Sequence, residues 1–307
     1  MSYNVVSAFS YSLAILVTCC WGVNFIFAKV VLSYWSPFVL LIMRFSLVSI
    51  LLLPVLIKGP PVAIKQLFPI SVTFSVLHLT CMFGSLYLGL SASIGVLVQQ
   101  LGIPFLLILS VFFLKEKGSL VIWIGVFCSL LGTFFLMNSP NSIQFPIAFI
   151  LMVLSAFFFA VYSIQIKHIS KKCKPLELIG WISILSLPMV LIIGIVFDRN
   201  LLITSFGVPL KVWISLGYIA VASSITAHSI WFYLISNNPI QKIAPIILLV
   251  PLVGVAAGIL ILNDALSLKI VIGGILMVVG VAMIVINKSS NQSKIKASGI
   301  NEKIIGK

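Results

Sequence analysis

The chain has 307 residues, 61% of them hydrophobic and only 8% charged, with a mean hydropathy of +1.27 and a net charge of +14. A soluble fold of this size needs roughly 25% charged residues to cover its surface, so a water-soluble globular protein is excluded and the chain must meet lipid. Nucleic-acid binding, the other reading of the positive charge, fails because the basic residues lie in short connectors between apolar runs and form no basic domain.

A membrane-crossing helix needs about 20 mostly apolar residues. Runs of that kind predict ten spans, at 11–32, 37–57, 68–89, 92–114, 119–138, 146–166, 177–197, 211–234, 242–262 and 269–287. No Lys or Arg precedes the first run, so it lacks the basic start of a cleaved signal and reads as a retained helix. It carries Trp21, Asn24 near mid-membrane, and Lys29 toward its far end, where snorkelling to the interface is expected. The second span holds Arg44, about 10 Å inside its boundary by helix rise. No acidic residue lies at depth in any span to pair with it, Glu177 standing at the very start of the seventh. Two readings of Arg44 stand open. Its guanidinium grips a substrate carboxylate in the bidentate geometry Arg favours, or backbone carbonyls satisfy it.

The third span places His78 near mid-membrane. The fourth carries Gln99 and Gln100, of which at most one points squarely at a cavity because neighbours on a helix stand about 100° apart. Pro104 in the fourth span and Pro251 in the ninth fall mid-helix in matching places, where a proline breaks a backbone bond and makes a hinge. Tyr162 and Gln165 share one face of the sixth span, and His228, Trp231 and Tyr233 occupy the eighth. Polar groups at such depth are functional candidates, so Asn24, Arg44, His78, one of Gln99 and Gln100, Tyr162, His228 and Trp231 form the candidate substrate set. The acidic Glu116 and Asp264 are expected to cap or orient the helices that follow them.

Charge tests the span count independently. With ten spans, one side of the membrane carries 14 Lys and Arg and the other only Arg199, Lys211 and Lys269. The positive-inside rule then puts both termini in the cytoplasm, including a basic tail, 288–307, expected to be disordered. Cys19, Cys20, Cys81 and Cys128 lie inside apolar runs and Cys173 in a connector. None has metal-ligand spacing, so they read as small buried hydrophobes.

The two halves, 11–138 and 146–287, resemble each other weakly. At an offset of 138 Trp21 meets Phe159, Asn24 meets Tyr162 and Lys29 meets Lys167, while at 148 Glu116 meets Asp264, Gly125 meets Gly273 and Gly132 meets Gly280. Five helices per half is an odd number, so the halves must be inverted, which is the architecture of secondary transporters. Gly254 and Gly258 make a GxxxG stripe that suits close helix packing within the fold or across a homodimer. A membrane-embedded enzyme would need a nucleophile with its base, a metal cluster or paired acids at depth. The spans hold none, and no cofactor or metal is expected.

Trp21-Gly22-Val23-Asn24-Phe25 with Lys29, Pro37 through Arg44-Phe45, Ser229-Ile230-Trp231, and the run Ala244-Pro245 to Val253-Gly254 together carry a resemblance. The chain resembles the drug/metabolite transporter superfamily in its ten-helix branch of two EamA-type repeats, from about Ser12 to Asn287. The Trp-Gly and Ala-Pro stretches look especially like its exporters of O-acetylserine, cysteine and related metabolites. The resemblance implies a carrier of the bacterial inner membrane, with Trp21, Asn24, Arg44, Gln100 and Trp231 near a central cavity. Where close relatives close the second repeat with an acidic-basic pair, Asn263-Asp264-Ala265 lacks the basic partner. The expectation is an all-α membrane protein of ten transmembrane helices in two inverted five-helix repeats. It would export small amino-acid metabolites by alternating access, with a small-molecule substrate and the lipid bilayer as its partners. Uptake or exchange of a larger metabolite such as S-adenosylmethionine, and broad-specificity drug and metabolite efflux, are the alternatives. A non-transporting scaffold would have no reason to keep Asn24, Arg44 and Gln100 at depth.

Overall fold

The computed structural model describes residues 8–114, 120–169, 172–198, 201, 206–237 and 249–283. Ten apolar helices run through them. We label them α1 (Ala8–Leu32), α2 (Pro37–Leu51), α3 (Ile64–Tyr87), α4 (Ala92–Gln99 and Gly102–Leu114), α5 (Leu120–Met137), α6 (Pro146–Ile169), α7 (Pro175–Phe197), α8 (Leu210–Leu234), α9 (Val250–Leu262) and α10 (Leu268–Met283). Five of them, in α1, α3, α6, α7 and α8, have the length and apolarity to cross a bilayer over the described residues alone. Large apolar side chains face outward, as at Val196, Phe197, Leu260 and Leu268, because the medium around them is hydrocarbon. The tail 288–307, the Ala244 to Leu248 stretch, Glu116 and the last residues of the tenth expected span lie outside the described residues.

Local chemistry sets the helix starts. The Ser36 hydroxyl accepts from the Val39 N–H at the start of α2, where Pro37 takes a position that needs no N–H, and Ser91 does the same for Ile94 at α4. The tight Gly89-Leu90-Ser91 turn forms because Gly89 adopts φ +112°, a left-handed conformation costly for a residue with a Cβ. Asn141 then straps it, its Oδ1 accepting from Ser91 N and its Nδ2 donating to Gly89 O.

The two prolines behave differently. Pro104 has no N–H for the Gln100 carbonyl, and Ile103 N takes that carbonyl instead at 3.1 Å. This three-residue turn breaks α4 into its two pieces. The described α9 begins at Val250, so Pro251 sits in its first turn and not mid-helix as expected. At that position a missing N–H costs nothing.

The inverted repeats interlock. The first helix of each half packs on the third and fourth helices of the other, α1 against α8 and α9 and α6 against α3 and α4. Small residues permit it. A Cβ at Gly22 of α1 would stand 2.8 Å from Val253 of α9, and one at Gly254 would stand 2.9 Å from Val96 of α4. The GxxxG stripe is therefore used inside the chain, with Gly258 against Ser93. The matched glycines face one another: a Cβ at Gly273 would lie 2.8 Å from Gly132 O, and one at Gly280 2.6 Å from Gly125 O, so α5 and α10 meet backbone to backbone. All five cysteines are free. Cys20 is buried, but Cys19 is exposed on the lipid side of α1, contrary to the expectation that it is buried.

Candidate functional site

Both third helices of the repeats leave the α-helical register at the same place. Val72–Leu79 in α3 and Ile219–Ala227 in α8 are π-helical. Such turns are rare and tend to mark functional sites. Hydroxyls brace the widened turns by bonding carbonyls five residues back, Thr80 Oγ1 to Ser75 O at 3.1 Å and Ser224 Oγ to Ile219 O at 2.6 Å. His78 lies near the end of the first π segment, and His228 directly follows the second.

His228 Nδ1 stands 2.7 Å from Ser223 O, also five residues back. A carbonyl only accepts, so Nδ1 carries the hydrogen and Nε2 of the neutral ring is the acceptor. His78 Nδ1 lies 2.9 Å from both Ser155 O and Ser155 Oγ on α6, and Ser155 Oγ also donates to Gln99 Oε1. The structure therefore brings Gln99 into this network, where Gln100 was the expected residue. Gln100 is buried beside it, at the α4 break. The break turns successive side chains to different sides.

The aromatic partners repeat the internal symmetry. Trp21 of α1 meets the His228 ring edge-on at 5.2 Å, and its counterpart Phe159 of α6 meets His78 edge-on at 5.8 Å. Each half-site thus joins a first helix from one repeat to a third helix from the other. Trp231 closes on Trp21 at 6.0 Å, while Tyr162 packs on His78, Phe159 and Phe74. Phe74, which the sequence did not single out, stands between the half-sites, within 6.1 Å of His78 and 5.6 Å of His228. Gln165 accepts from Thr73 in the same π segment at 2.6 Å, so Tyr162 and Gln165 of α6 both face α3.

Arg44 is at the centre, 2% exposed. Among the described residues its one hydrogen bond runs from Nε to Ser224 Oγ at 2.8 Å, and its guanidinium lies 5.8 Å from the rings of Phe45 and Phe83. Ser224 is thus a relay, accepting from Arg44 and donating to the π-turn carbonyl of Ile219. The cavity beside Arg44 is lined by Phe74, Ile182, Ser183, Ser224, His228 and Phe232, and measures about 10 Å3. That is room for one water, so the site is shut around its polar groups. Two groups of α1 are orphaned within the described residues, Trp21 Nε1 and Asn24 Oδ1. Buried polar atoms without partners are costly, and each is a ready contact for a ligand.

The two ends of the molecule differ. At one end helices and connectors are tied together. Lys29 Nζ donates to Leu86 O at the end of α3 at 2.8 Å instead of snorkelling outward, and Asp264 Oδ2 accepts from Ser93 N at 2.8 Å. Asp264 therefore caps α4 of the other repeat and not the α10 that follows it, whose first turn is served by Ser267. Lys29 is also within electrostatic reach of Asp264, a cation from the first repeat where the Asn263-Asp264-Ala265 stretch offers none. At the other end a cavity of about 520 Å3 opens between the repeats, lined by Leu13, Lys58, Lys174, Glu177, Ser229 and Tyr233 among others.

Comparison with known proteins agrees with this architecture. The model of the EamA-like transporter family matches residues 8–138 and again residues 146–286. A probable amino-acid metabolite efflux pump of Escherichia coli K12 is 26% identical over 277 residues, covering 87% of this chain and 92% of that protein. An uncharacterized transporter of Archaeoglobus fulgidus is 26% identical over 270 residues, covering 86% and 94%. One solved crystal structure superposes with a TM-score of 0.62 at 16% identity, over 90% of this chain and 97% of that one, and so shares the fold. With both of its halves matching one repeat model, the chain belongs to the EamA-like transporter family and is a multi-pass membrane protein.

Proposed function

We propose that the chain exports small amino-acid metabolites, of the cysteine or O-acetylserine kind, across the bacterial inner membrane by alternating access. The observation that carries this reading is Arg44, a buried guanidinium held by one neutral hydroxyl inside an aromatic enclosure. A structural arginine at this depth is expected to have its donors filled by carboxylates or carbonyls. Among the described residues the remaining guanidinium N–H groups have no partner, which leaves them for an incoming carboxylate. Asn24 Oδ1 and the His228 Nε2 acceptor suit an ammonium group, while Trp21, Phe74 and Trp231 cover the apolar part. The similarity to a probable amino-acid metabolite efflux pump supports the same substrate class. The charge asymmetry supports a cytoplasmic position for Lys58 and Lys174, and on this reading the open end faces the cytoplasm and the end tied by Lys29 and Asp264 faces outward.

The test is counterflow in proteoliposomes with labelled cysteine, O-acetylserine, threonine and S-adenosylmethionine. Wild type is expected to exchange the small amino acids. Arg44→Ala is expected to abolish exchange while the purified protein keeps its unfolding temperature within a few degrees, and Arg44→Lys is expected to restore only a fraction because it loses the two-pronged grip. Exchange of S-adenosylmethionine alone would overturn the substrate class, and full activity in Arg44→Ala would return that residue to structure.

A further inference from the structure

The 520 Å3 cavity lies apart from the Arg44 site, yet both are built on the same two helices. Along α7, Glu177 lines the outer cavity, and Ile182 and Ser183 line the inner one, about 8–9 Å deeper by helix rise. Along α8, His228 and Phe232 line the inner cavity, while their neighbours Ser229 and Tyr233 line the outer one. Adjacent helical residues point about 100° apart, so one stretch of α8 serves both spaces. The volume falls within the range of small-molecule sites, roughly 300–1,000 Å3.

Its chemistry is lopsided. Lys58 and Lys174 are exposed. Glu177 is engaged, its Oε2 accepting the Lys174 backbone N–H at 3.0 Å in the first turn of α7, where the helix dipole offsets its charge. The backbone just after Lys58 is tied to the other repeat, Trp181 Nε1 of α7 donating to Gly59 O at 3.1 Å. Gly59 itself adopts φ +86°, which turns the chain sharply just after Lys58. Ser229 Oγ is buried and has no partner among the described residues. That oxygen has no surface open to the cavity, which thus presents, among the described residues, two unpaired cations and one committed carboxylate, and the like charges add in the space between them.

We propose that this vestibule is a first binding site for carboxylate-bearing metabolites, in which Lys58 and Lys174 draw in and hold the carboxylate before it passes inward to Arg44. The site selects against net cations, which the two lysines repel. This inference rests on the export reading, and its test separates the two. In inside-out membrane vesicles carrying the full-length protein, transport of labelled O-acetylserine is measured at about 20 mM and about 500 mM ionic strength. For Lys58→Gln/Lys174→Gln the KM at low salt rises roughly three- to tenfold with Vmax unchanged, and the difference vanishes at high salt. Lys58→Glu/Lys174→Glu raises KM further, whereas Lys65→Gln, which removes an exposed lysine outside the cavity, leaves it unchanged. An unaltered KM in the double variant, a parallel fall in Vmax, or an equal effect of Lys65→Gln overturns the vestibule. If wild type transports the substrate and Arg44→Ala abolishes it while the lysines prove silent, export stands and the vestibule alone is refuted. If wild-type vesicles move none of the amino-acid substrates, both fall together.

Discussion

Ser224→Ala isolates the contact on which the arginine reading depends. It removes the acceptor of Arg44 Nε and, with it, the brace on the π turn at Ile219. A hydrogen bond to a charged group contributes about 1.5–3 kcal/mol, which at 1.4 kcal/mol per tenfold corresponds to roughly 10- to 150-fold in affinity. The neighbouring cavity of about 10 Å3 admits one water, and that water takes over part of the lost bond. The expected rise in KM for cysteine therefore lies at the low end, about tenfold. Ser224→Thr keeps the hydroxyl and is expected to stay within about threefold of wild type. The assay is counterflow with labelled cysteine, run alongside competition by cysteamine, which lacks the carboxylate. Cysteamine inhibition is expected to change little in Ser224→Ala. A double cycle with Arg44→Lys, which keeps a measurable fraction of exchange, checks that the two residues act as one unit, since the serine change then acts on an already weakened grip and adds only its effect on the π turn. Equal losses for cysteine and cysteamine, or additive effects of the two substitutions, would refute the relay.

Gly273→Ala places a Cβ 2.8 Å from the Gly132 carbonyl oxygen and forces α5 and α10 apart. The expected destabilisation is about 1–3 kcal/mol, read as a lower unfolding temperature in detergent. Gly217→Ala is the contrast, since nothing lies within 4 Å of its added Cβ and helix propensity favours alanine by about 1 kcal/mol, so no loss is expected. Asp264→Ala removes the cap on Ser93 and is expected to cost about 0.5–2 kcal/mol, with Asp264→Asn largely recovering it. Hydrogen exchange at the start of α4 shows whether the loss is local. Phe74→Ala removes the ring between the half-sites and is expected to destabilise by about 3–5 kcal/mol while admitting bulkier substrates. Unchanged selectivity in a folded Phe74→Leu would count against its place in the site.

Much of the site was legible because depth in a membrane is itself informative. Arg44, His78, Tyr162, His228 and Trp231 stand out as polar or aromatic residues in apolar runs, and the structure gathers Trp21 with His228 and Trp231, and Tyr162 with His78. Gln99 was passed over for Gln100 because the choice depends on where α4 breaks, and the break follows from the carbonyl that Pro104 cannot serve. Phe74 was invisible, since one phenylalanine among 22 carries no mark. The π segments had no signal either. They arise from a one-residue offset in hydrogen bonding that leaves hydropathy untouched.

Sequence alone determined that the chain is a ten-helix membrane protein with internal symmetry, because lipid tolerates only apolar spans with satisfied backbones and because charge sorts the connectors. It also marked the glycines that pack closely, since their matched spacing survives in both halves. Only the tertiary structure decided which helices those glycines join, that each first helix crosses to the opposite repeat, and that Asp264 caps a helix of the other half. Such pairings are set by packing between segments far apart in the chain, and composition and periodicity describe each segment only by itself.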